Sequence, residues 1–249
     1  MTQSANAAVP SKTVLVTMPK CGRKPHNCPP EVSRSWGRLV ATYKSVTELF
    51  DTYNVLRTQQ PDPRGPISES QRDQARAAIV FTSAGIDASL RTLLRDSLTT
   101  LLRTDGRAHG VFTRHLYGER LNGSVTEATK KAVVALDARG ALIDLYVADI
   151  TGASVQGWKD LKKVRDALGI VSDSLVDEHL KTHQDFFDAR HQVVHELDLV
   201  DPSGKGSRGR RHRDVPEVAR QCSRALALVE EFIHQSAQEV RQASRQLDR

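Results

Sequence analysis

At 249 residues, 39% hydrophobic and 27% charged, the chain has room for one large domain or two small ones and enough apolar content to bury a core. Three cysteines, no run of about 18 apolar residues and no basic-then-apolar opening segment argue against a disulfide scaffold, a membrane span and a secretory leader. A reducing cytoplasm is the simplest reading, and the net charge of +6 favours a polyanionic partner.

Residues 1–30 read as a flexible N-terminal segment. Thr13-Val14-Leu15-Val16-Thr17 could add one short strand, but Pro10, Pro19, Pro25, Pro29 and Pro30 stop anything longer. Cys21, His26 and Cys28 suggest zinc, yet a fourth ligand at short spacing is missing, so a loose tail with stray thiols is preferred. No metal and no cofactor are expected.

From Glu31 the pattern turns helical. Trp36, Leu39, Val40, Tyr43, Val46 and Phe50 recur at three- and four-residue steps up to about Leu56, and Gln60 to Pro66 breaks the run. Ser68 to about Arg103 is the longest helical candidate, with Ile79, Ile86, Leu90, Leu93, Leu94 and Leu101 on one face. Gly106 and Gly110 interrupt before a helix over 111–121. Ser124-Val125-Thr126-Glu127 reads as a capping box, opening a helix that Gly140 stops. Ala141 to Ile150 fits either a buried helix or a strand, and helix is preferred because no second strand is available to pair with it.

Trp158 to Leu168 is a short helix ended by Gly169, and Asp173 to about Asp198 reads as one longer helix. A basic loop over 202–213 carries Lys205, Arg208, Arg210, Arg211 and Arg213. Asp214-Val215-Pro216-Glu217 then caps a last helix, whose apolar stripe makes Cys222 a core thiol. The fold class is all-α, a helical bundle over 31–249 with its core at about 68–238.

The anomaly is Arg190-His191-Gln192-Val193-Val194-His195-Glu196. At about 100° per residue, Phe186, Phe187, Val193, Val194 and Leu197 share one arc with Arg190 in its middle. A guanidinium buried there needs an anion, either a structural carboxylate such as Asp87 or a negatively charged ligand. His191 and His195 share a face, whereas Arg190 and His195 lie ~140° apart on an ideal helix. Only a local distortion, or a two-fold dimer crossing two such helices, brings that pair together. A metallohydrolase pair would need a glutamate inside the motif, where Gln192 and Val194 stand. Glycine-rich phosphate loops and Ser or Cys nucleophile elbows are absent from the sequence. The basic loop is a candidate phosphate-holding element beside the motif.

An arginine, a polar residue and a histidine four to six positions on, near a helix end in an all-α chain, resembles the HEPN superfamily (higher eukaryotes and prokaryotes nucleotide-binding). The trailing Glu196-Leu197-Asp198 is similar to the family too. So is Ile79 to Arg91, which resembles its first long helix with the acidic position at Asp87. The resemblance covers about 68–238, with extra helices between the matching ones. It implies a metal-independent endoribonuclease, a toxin or anti-phage or stress-defence effector that uses the RNA 2′-hydroxyl as nucleophile. His195 would be the acid/base, Arg190 the phosphate clamp and His191 an assistant, while Asp87 would hold Arg190 or tune a histidine. Lys205, Arg208, Arg210, Arg211 and Arg213 would bind RNA. The implied partners are RNA, a second copy of the chain with the site at the dimer interface, and an antitoxin or regulatory protein. The alternative is a non-catalytic HEPN module that binds nucleic acid or protein.

Overall fold

The computed structural model describes residues 15–152, 154–203 and 209–249. Among them the architecture is all-α. Three long helices make the frame: α1 (Pro30–Thr58), α2 (Glu69–Leu101) and, in chain order after six shorter helices, α9 (Val215–Leu247). The shorter helices are α3 (Arg107–His115), α4 (Glu127–Val133), α5 (Ala138–Thr151), α6 (Trp158–Ala167), α7 (Asp177–Lys181) and α8 (Gln184–Glu196).

The frame follows from caps and stripes. Ser68 accepts from the Gln71 backbone N–H while the Gln71 side chain accepts from the Ser68 N–H, a reciprocal capping box that starts α2. Asp214 caps α9 by accepting the Glu217 N–H, with Pro216 in the first turn. Ile79, Ile86, Leu90, Leu93, Leu94 and Leu98 of α2 are buried against α1 and α9. Gly85 lets α1 approach closely, since a Cβ there would lie 2.2 Å from Thr42 Cγ2. By length and composition α2 could cross a membrane, unlike the sequence reading, and it is the central helix of this bundle. Cys222 is fully buried as expected, and burial pushes its thiol up to about 12.

Several sequence boundaries shift. Residues 15–28 are no loose tail: Val16 and Met18 are buried, and the Asn54 side chain bonds both the N–H and the C=O of Val16. No strand forms among the described residues; part of the expected one, 13–14, lies outside them. The helix opening near Ser124 is capped by Thr126 and ends at Val133. Gly140 does not stop it, because Asp137 caps α5 through the Gly140 N–H at 2.8 Å. The stretch 173–198 is broken in three: a 3₁₀ turn over Asp173–Leu175, then α7, then α8. The helix expected over 111–121 is α3 followed by a π-helical turn, Leu116–Arg120.

Candidate functional site

Helix α8 lies along α2, and its two ends differ in burial. Phe186, Phe187 and Ala189 are in the core, but the apolar arc runs out beyond Val193: Val194 is 40% and Leu197 68% exposed. Arg190 is therefore half-buried at the surface, not enclosed in an apolar interface as the helical wheel implies. His191 and His195 are exposed.

Within one chain the side chains of Arg190 and His195 meet. Arg190 Nη1 lies 3.3 Å from Nε2 of His195 and donates to it, which leaves the His195 ring proton on Nδ1. The long arginine stem crosses the angle that separates the two positions on an ideal helix. The His191 and His195 rings stand 4.9 Å apart between centroids, tilted by 46°. His191 Nε2 is 3.9 Å from Glu196 Oε1, and the other oxygen of Glu196 is held by Arg211 at 2.8 Å. One guanidinium and two imidazoles thus share an open surface at the end of α8.

The end of α8 is set by the two residues that follow Glu196. Leu197 and Asp198 both take left-handed backbone conformations, φ 52° and 58°, unusual for residues with a Cβ. The Asp198 N–H closes the helix end on the Gln192 C=O at 2.8 Å. Its carboxylate is fully buried. It accepts from Arg76 Nε at 2.8 Å and from Arg213 Nη2 at 2.6 Å. Arg213 Nη2 also reaches the side-chain oxygen of Gln192, inside the motif, at 2.7 Å. Arg76 continues to Asp73 and Glu69 on its own helix. This buried Arg76–Asp198–Arg213 cluster overrides the backbone strain and fixes where the helix, and so His195, stops.

Two expected roles change. Asp87 does not hold Arg190 within this chain: its Oδ1 accepts the Val155 N–H at 2.8 Å and Arg91 Nε at 3.2 Å, tying the segment after α5 to α2. The basic loop is not a free rake of cations either. Arg213 is committed to Asp198, Arg211 to Glu196 and the Leu199 C=O, and Arg210 to Asp73 at 2.7 Å. Lys205 and Arg208 lie outside the described residues. Among the described residues, no three of His, Cys, Asp or Glu cluster as metal ligands would.

A signal for the buried cluster was present in the sequence. Arg76 stands three residues before Ile79, on the apolar face of α2, where a cation needs a partner. Comparison with known protein families, with curated proteins and with solved structures finds no match to this chain.

Proposed function

We propose that the chain is a metal-independent endoribonuclease of the HEPN type, acting as a toxin or as an anti-phage or stress-defence effector. The observation that carries this reading is the exposed Arg190–His195 contact of 3.3 Å with His191 alongside. RNA brings its own nucleophile, so the protein has only to move protons and stabilise charge on the phosphate.

In the proposed reaction His195 Nε2 accepts the proton of the 2′-hydroxyl as that oxygen attacks phosphorus. The bond from phosphorus to the 5′-oxygen breaks, leaving a 2′,3′-cyclic phosphate. The departing 5′-oxygen takes a proton from His191, which the ring spacing puts within one nucleotide's reach. Arg190 swings from His195 onto the phosphoryl oxygens, where its planar fork matches the developing charge. Exposed Val194 and Leu197 flank the site and support a second copy of the chain packing there, so that two motifs face one RNA-binding cleft.

The test is cleavage of a defined RNA in EDTA. The expected products carry 2′,3′-cyclic phosphate, or the 3′-phosphate it hydrolyses to, with 5′-hydroxyl partners, and a DNA of the same sequence stays intact. Loss of activity in chelator, or cleavage of the DNA, contradicts the proposal. The competing reading, a binding module without chemistry, is favoured by the Arg190 guanidinium already occupying His195 Nε2. It requires the RNA to be bound and left whole.

A further inference from the structure

A second cluster of polar groups lies away from the α8 motif, around an open cavity of about 590 Å³ between α3 with its π-helical turn, α5 and α6. The volume falls within the range of small-molecule sites. The π-helical turn builds one wall. Leu121 N–H bonds the Leu116 C=O at 2.8 Å, five residues back, so positions five apart come onto one face. His115 and Arg120 both reach Asp149 in this way: His115 Nε2 at 2.8 Å, Arg120 Nε at 2.7 Å, with Arg120 Nη2 on the other carboxylate oxygen. Burial alone would raise the Asp149 carboxyl, but the Arg120 and His115 hydrogen bonds outweigh it and hold it low.

Donors are left over on these walls. Asp149 is saturated by Arg120 and His115, and Asp166, the carboxylate facing it from α6, pairs with Arg165 at 2.8 Å. The fork of Arg120 still has Nη1 uncommitted among the described residues, and Lys163 spends only one contact, 3.3 Å to Asp160. Tyr146 is 2% exposed, lines the cavity, and its hydroxyl makes no hydrogen bond to any described residue. Burial, with Asp166 nearby, pushes its phenol up, so it stays protonated and donates. The ring is buried but the hydroxyl is not among the sealed, unpartnered polar atoms of the fold; it opens on the cavity, where it can donate to a ligand's acceptor group. Glu119 is the one lining carboxylate without a cation partner among the described residues. It is solvent-exposed, where its charge is screened. Val111 and Ile150 add apolar surface.

We propose that this cavity binds a small organic anion, a carboxylate or phosphate monoester on a body of about one aromatic ring. Its charged end takes the Tyr146 hydroxyl, Arg120 Nη1 and Lys163, and its body lies on Val111 and Ile150. The site is independent of the reading of the α8 motif.

Calorimetric titration of the full chain with phenyl phosphate, benzoate and benzamide tests it. The two anions separate phosphate from carboxylate preference, and benzamide removes the charge while keeping the shape. The expected result is saturable binding of at least one anion, weaker binding of benzamide, and about a tenfold loss of anion affinity in Tyr146→Phe and in Lys163→Gln. Tyr146→Phe removes an oxygen that bonds nothing in the protein, and Lys163 is exposed, so both variants are expected to fold as the parent does. No anion binding up to about 1 mM, benzamide bound as tightly as the anions, or binding that both variants leave unchanged would each overturn the proposal.

Discussion

The carboxylate of Asp198, fully buried, accepts the Nε–H of Arg76 at 2.8 Å across 122 residues of sequence. Arg213 closes the cluster from the other side. The three residues come from α2, from the segment just beyond α8 and from the approach to α9, so the contact joins those three parts of the fold. Removing the anion takes away the buried partner of both arginines, although Arg76 keeps Asp73 and Glu69 and the half-buried Arg213 keeps Gln192. Asp198→Ala is therefore expected to destabilise the protein by about 2–3 kcal/mol, below the cost of leaving a buried charge wholly unpaired. Equilibrium urea unfolding reads this directly, and a loss below about 1 kcal/mol would show that the cluster does not hold the fold together.

Leu197 and Asp198 share a left-handed backbone but should respond oppositely to glycine. Within one chain Leu197 is 68% exposed, so at protein concentrations where the chain is monomeric its loss removes little packing. Relief of an αL penalty of about 1–2 kcal/mol, less the backbone entropy of glycine, gives Leu197→Gly a net gain of about 0.5–1 kcal/mol. Asp198→Gly should destabilise despite the same relief, because the carboxylate is lost. Thermal melts of the two variants check the pair of signs.

His183, at the start of α8, is pushed down to about 4 by burial, with Arg224 and His179 adding to the effect, and its Nε2 is buried without a partner. The folded state therefore prefers the neutral ring. Between the ordinary histidine value near 6.5 and about 4 the unfolded chain binds the extra proton. The stability this residue contributes is complete above 6.5, is lost as pH falls through that window, and stays lost below it. In His183→Leu this part of the acid sensitivity should vanish, so the stability difference between variant and parent should change across pH 4–6.5 and be level outside it. A difference independent of pH would contradict the assignment.

The long amphipathic helices were legible in the sequence because their apolar stripes run for many turns between strong caps, as in α2 and α9. The break between α7 and α8 was not. Neither Gly nor Pro marks it; Thr182 turns its hydroxyl back to the His179 C=O at 2.7 Å, and tertiary packing seats His183, Phe186 and Phe187. Gly140, a residue type that ends many helices, here sits in the first turn of one and donates its N–H to the N-cap carboxylate of Asp137. The motif residues Arg190, His191 and His195 were found by their types, but helix geometry alone placed Arg190 and His195 on different faces. Their contact depends on side-chain reach, and the shape of the helix end depends on Arg76 and Arg213, far away in sequence.

Neutralising the basic loop should now separate into two effects. Arg213→Gln weakens the buried cluster and should cost stability first. Arg210→Gln breaks only an exposed pair with Asp73 and should leave stability within about 1 kcal/mol of the parent. If RNA is the ligand, Arg210→Gln should reduce the steepness with which RNA affinity falls as salt rises, by about one phosphate contact. An unchanged salt slope would place Arg210 outside the RNA path.

The central claim is that His195 moves the proton of the RNA 2′-hydroxyl. The most direct measurement compares the single-turnover cleavage rate of the parent and of His195→Ala in chelator, with RNA affinity measured on the same samples. The account predicts a folded variant that binds RNA about as tightly as the parent and cleaves it about 10²–10⁴-fold more slowly. A folded His195→Ala protein that cuts RNA at the parent's rate would contradict it.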